Sequence, residues 1–235
     1  MDKETKKGLV ILLAVVGVIF TLLVLDAWYR YSNKFVYQEH LDDTVITVDD
    51  ICITLRELSC YVYEVESEID KQARIYNAED PLDYWNTYFN SGTEGGYISE
   101  MAEDVILGSC VCDLIYEQMA IEQGYELTEE EKKEAEKQAE QLYVRMSETQ
   151  KQNTGLTLDL ICKVKKRKAL VLKFAMEYFE NVDFTGYSGY REELVSYAGD
   201  YYCKEVLPLH QVDYNSEIIN EWSIGRITTD YVSKY

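Results

Sequence analysis

An all-α, mainly helical chain with a small N-terminal β-hairpin and one N-terminal transmembrane helix is the fold class this sequence predicts. Three observations predict it. An apolar run extends from Gly8 to Leu25, two short β-branched runs flank Asp49 and Asp50, and four longer segments carry apolar residues at helical spacing, several opened by threonine caps.

The apolar run comes first. Its 18 residues, at about 1.5 Å of helical rise each, give about 27 Å, close to the hydrocarbon thickness of a bilayer. Lys3, Lys6 and Lys7 precede it, and Trp28, Tyr29, Arg30 and Lys34 follow. The positive-inside bias then predicts residues 1–7 as a cytoplasmic tail, 8–29 as a single-pass transmembrane anchor held in the lipid bilayer, and the rest as extracytoplasmic. An uncleaved signal-anchor is favoured over a cleaved signal peptide, because the run is long for a signal and the exit at Val24, Leu25, Asp26, Ala27 and Trp28 lacks a small-x-small site.

Residues 30–43 read as a polar juxtamembrane linker, and 44–235 as one extracytoplasmic helical domain. Thr44 to Val48 and Ile51 to Ile53 predict a hairpin turning at Asp49 and Asp50, both of which a primed turn would place at positive φ. Thr54 and Glu57 form a capping box. Behind it Leu58, Tyr61, Val62, Val65, Ile69, Ala73 and Tyr76 predict an amphipathic helix over 55–77. Residues 78–97, with Pro81, three glycines, Tyr84, Trp85, Tyr88 and Phe89, read as an aromatic excursion without regular structure.

A second helix over 99–123 stops at Gly124. Thr128 and Glu131 form another capping box, opening a charged helix whose narrow apolar stripe is Ala135, Ala139, Leu142, Tyr143 and Met146. Gly155, Leu156 and Thr157 introduce a fourth helix to about Phe179. Its basic cluster, Lys163, Lys165, Lys166, Arg167 and Lys168, is expected to pair with the acidic helix before it. In the tail, 190–207 reads as helical up to Pro208, with a last short helix over 216–227.

Charge and composition narrow the function. The chain carries 23 basic against 43 acidic residues, a net charge of −20. That repels nucleic acid and favours basic or neutral partners. Six cysteines are too sparse for a disulfide framework and favour buried thiols. Two histidines, His40 and His210, have no cysteine at ligand spacing, so no zinc site is expected. Carboxylates are too abundant for any pair to signal acid–base catalysis. No nucleophile elbow or phosphate loop occurs, and neither a cofactor nor an enzymatic activity is expected.

Three pieces, Val48 to Thr54, Gly124 to Glu131 and Thr154 to Thr157, follow one another in the order of a known domain. Together, over roughly residues 44–180, the chain resembles the N-terminal chaperone domain of the SurA and PrsA type, which is similar to the C-terminal part of trigger factor. The family has Asn-Gly or Asp-Gly where Asp49 and Asp50 stand. The resemblance implies an anchored extracytoplasmic holdase or foldase that binds unfolded exported polypeptides in a helical cradle. The residues after Glu180 show no parvulin pattern, so no prolyl isomerase activity is expected.

The candidate peptide-binding surface is aromatic: Tyr84, Trp85, Tyr88 and Phe89 in the loop, and Tyr197, Tyr201 and Tyr202 in the tail. Tyrosine offers contact area at low entropic cost with a polar tip. The competing assignment for each is completion of the core. The alternative function is a non-catalytic bitopic scaffold or partner subunit of a cell-envelope assembly.

Overall fold

The structure is a computed structural model that describes residues 16, 19–24, 35–90 and 95–229. The chain divides into two units, Met1–Val36 and Tyr37–Tyr235. In the first, Val16 and residues 19–24 are helical. Here the sequence expectation is corrected. No helix among the described residues is long and apolar enough to cross a membrane. The rest of 8–29 lies outside the described residues. The single-pass, signal-anchor and membrane assignments, and the placement of the two ends on opposite sides of a bilayer, rested on a spanning helix that the described residues do not show.

The second unit is mainly helical with a small antiparallel sheet. Its helices longer than one turn, among the described residues, are α1 (Leu55–Tyr76), α2 (Ile98–Glu122), α3 (Glu129–Arg145), α4 (Glu148–Thr154) and α5 (Leu158–Tyr178). Helix α5 is central and packs on α1, α2 and α3, while α1 also packs on α2. Strands β1 (Thr44–Val48) and β2 (Ile51–Thr54) form the expected hairpin. A second hairpin joins β3 (Tyr88–Asn90) to β4 (Gly95–Tyr97), and β5 (Val212–Tyr214) adds to the free edge of β1.

At the first turn only Asp49 takes positive φ, at 52°. Its carboxylate accepts from the Gln211 amide at 2.9 Å and lies 2.7 Å from His210 Nδ1, so contacts from the far end of the chain hold the strained residue. Residues 37–41, inside the stretch assigned as linker, pack on this unit: Tyr37 and Leu41 are buried, and the Tyr37 hydroxyl meets Ser59 Oγ at 2.8 Å.

Helix α1 begins at the predicted Thr54 cap, whose hydroxyl accepts from the Glu57 amide. The second half of that capping box is absent, because Glu57 is buried and spent elsewhere. Arg167 Nη2 lies 2.8 Å from Glu57 Oε1, Lys163 donates to Glu57 Oε2 at 2.7 Å, and Arg167 Nε donates to Glu117 at 2.6 Å. Lys165 and Lys168 both bond Glu64. The basic cluster does pair within the chain, but mostly with α1 and α2. Only Lys166, with Glu136, reaches α3 from within the cluster. At Thr128 the capping box is complete, with both reciprocal bonds formed.

Three regions differ from expectation. Residues 78–97 hold a one-turn helix, Leu82–Trp85, and the β3–β4 hairpin. Helix α4 stands where no element was foreseen, opened by a Ser147 and Gln150 capping box and closed by Gly155. The tail is only briefly helical, at Arg191–Leu194, Tyr202–Val206, Leu207–Leu209 and Ser216–Ile219, and then runs irregularly to residue 229. That last stretch is buried through Ile218, Ile219, Trp222, Ile224 and Ile227. Glu66, fully buried on α1, accepts from the amides of Gly225 at 2.5 Å, Ile227 at 3.3 Å and Thr228 at 2.6 Å, and from the Thr228 hydroxyl at 2.6 Å. The tail is therefore strapped across the body by a carboxylate that gathers its backbone donors.

Candidate functional site

Helices α2 and α5 lie side by side, and the segment 192–197 crosses above them, leaving a groove of about 360 Å³. Gly108 on α2 explains how close the crossing comes. A Cβ there would lie 2.3 Å from the Tyr197 ring, so only glycine lets the tyrosine rest on the helix backbone. Cys112 Sγ, 3.8 Å from the Val195 carbonyl, fixes the same segment from below. The walls are apolar: Val171, Leu172 and Ala175 from α5, Cys112 and Tyr116 from α2, Val195 and Tyr197 above. Leu172 is 63% exposed at this groove, and Met176, one turn further along α5, is also exposed.

Polar groups converge on the groove. Asp113 is half-buried and accepts one hydrogen bond, from the Tyr61 hydroxyl at 3.0 Å. Burial holds its carboxyl above the ordinary aspartate value, an effect the nearby Lys168 charge and the Tyr61 bond only partly offset. Lys168 also lines the groove, but its ammonium is bonded to Glu64 and sits 4.3 Å over the Tyr61 ring. The Tyr116 hydroxyl is buried in a residue 2% exposed and has no hydrogen-bond partner among the described residues. An unsatisfied buried hydroxyl costs free energy on the order of 1–3 kcal/mol. Burial pushes the Cys112 thiol and the Tyr116 phenol upward, so both stay protonated near neutral pH.

The seven aromatic residues singled out from sequence fall into separate places. Tyr197 lines the groove. Trp85 is 2% exposed and packs on Gly225, whose φ of +91° brings the strap against the indole. Tyr202 is buried in a ring cluster with Tyr116, while Tyr201 meets Phe179, Phe184 and Tyr187 edge-on. Tyr84 leans on Tyr76, with centroids 5.3 Å apart. Tyr88 and Phe89 are exposed on the second hairpin, where Tyr88 meets Tyr97 across the strands at 5.5 Å. The groove residues Cys112, Asp113, Tyr116 and Leu172 were not singled out.

All six cysteines are free thiols. Cys60, Cys110 and Cys112 are buried, and burial raises Cys60 to about 12. Among the described residues no group of three or more metal-ligating side chains gathers, and neither histidine lines the groove. Comparison with family models, with curated proteins and with solved structures gives no match.

Proposed function

We propose that this chain is a non-catalytic, chaperone-like binder of unfolded polypeptide segments, and that the groove between α2 and α5 is where they are held. One observation carries the proposal: an apolar groove of about 360 Å³, partly exposed at Leu172, is lined by Tyr116, whose buried hydroxyl has no hydrogen-bond partner among the described residues. Peptide sites combine apolar walls with a few orienting polar groups. A main-chain carbonyl or amide would satisfy Tyr116, and an apolar side chain would cover Leu172. The raised thiol of Cys112 argues against a nucleophile there, since the thiolate is the reactive form. Charge complementarity favours neutral or basic clients over acidic ones, given the net charge of −20.

The test is suppression of aggregation of a denatured protein by the full chain at near-stoichiometric ratio, compared with Leu172→Glu and Tyr197→Ser. Leu172 is exposed enough that its substitution is expected to shift stability by no more than about 0.5 kcal/mol. Trp85→Ala is unsuitable, because emptying a buried tryptophan site costs about 3–5 kcal/mol and confounds binding with unfolding. Suppression by the parent that weakens severalfold in both folded variants is the expected result. Absence of suppression by the parent contradicts the proposal. Suppression indifferent to both variants but lost in Phe89→Ser contradicts the groove as the site and moves it to the exposed hairpin.

A further inference from the structure

We infer that the groove selects segments presenting a lysine or arginine within an apolar stretch, with Asp113 as the counter-charge that reads it. The inference rests on the groove being the polypeptide site and deepens that function to a ligand class. Asp113 sits among apolar walls, takes its one side-chain hydrogen bond from Tyr61, and makes no ion pair within the described residues. The cation that shares the groove, Lys168, is already held by Glu64. Glu192, exposed and also lining the groove, adds a second carboxylate with no ion pair among the described residues.

Lys168 offsets the Asp113 charge only in part and makes its direct ion pair with Glu64, so an incoming ammonium or guanidinium would give Asp113 the direct partner it has not got among the described residues. Lysine and arginine suit the walls as well as the charge. Their methylene stems can lie along Leu172 and Ala175 while the cationic head reaches inward. A glutamate in the same place would face Asp113 and Glu192 and be repelled.

Short labelled peptides, identical except for lysine, norleucine or glutamate at one central position, test this by fluorescence anisotropy on the full chain. The lysine peptide is expected to bind about tenfold tighter than the norleucine peptide, as a charge-assisted hydrogen bond in a cleft gives. The glutamate peptide is expected to bind weakest. In Asp113→Asn, which keeps an acceptor for Tyr61, the lysine preference is expected to fall to about onefold. Equal binding of lysine and norleucine peptides to the parent, or a preference that survives Asp113→Asn, overturns the selectivity and leaves polypeptide binding standing. Failure of all three peptides to bind the parent overturns the polypeptide-binding function itself, and the selectivity with it. The comparison on the parent chain needs no variant to fold.

Discussion

Asp113 shows at the scale of one residue how a site and a stability cost coincide. Burial raises its carboxyl above the unfolded value, about 3.9. The native state therefore binds this proton more tightly than the unfolded state does. Stability from the group is fully present below about pH 3.9 and is lost as pH rises through the raised native value. Asp113→Asn removes that loss, so the variant is expected to be more stable than the parent at pH 7, with the gap closing toward pH 4. Urea denaturation at the two pH values checks it, and a gap that is absent at pH 7 or widens on acidification contradicts it. In the sequence this residue was visible only as an acid inside Val111, Cys112, Leu114 and Ile115. Gly108, an isolated glycine inside a helical pattern, went unused in the sequence, and it marks where Tyr197 rests. Arg167 was legible as a base but not as a buried one, because its partners Glu57 and Glu117 come from two other helices.

At the scale of elements, what depends on neighbours in sequence was readable and what depends on distant partners was not. Apolar spacing and threonine caps located α1, α2, α3 and α5 to within a residue or two, because the capping hydroxyl, the periodic stripe and Gly124 all act locally. Helix α4 had an equally local sign in Ser147 and Gln150, which went unused. Strand β5 had none. Its three residues are strand only because β1, more than 160 positions earlier, offers an edge, with Val48 opposite Val212. The strap after it depends in the same way on Glu66. Glu66→Ala leaves three amides and a hydroxyl without their acceptor, at about 1–3 kcal/mol for each buried donor left unsatisfied. A loss of about 3 kcal/mol or more is expected, with faster hydrogen exchange across 222–229 than in α1 or α5. Unchanged exchange in the strap would show that apolar packing of Trp222 and Ile227 holds it without the carboxylate.

Across the whole molecule, the mainly helical body with its small sheet agrees with the sequence, whereas no helix among the described residues is long and apolar enough to be the expected transmembrane one. The aromatic residues picked from sequence are dispersed, because tyrosine and tryptophan serve both core and surface, and only folding decides which. Tyr197 alone among them reaches the groove. The function proposed here depends on that groove taking a polypeptide segment, and hydrogen–deuterium exchange of the full chain, with and without the lysine-bearing peptide, tests it most directly. The account predicts slowed exchange confined to 109–116, 168–175 and 192–197. Unchanged exchange in those three segments, or protection appearing at 88–97 instead, would contradict it.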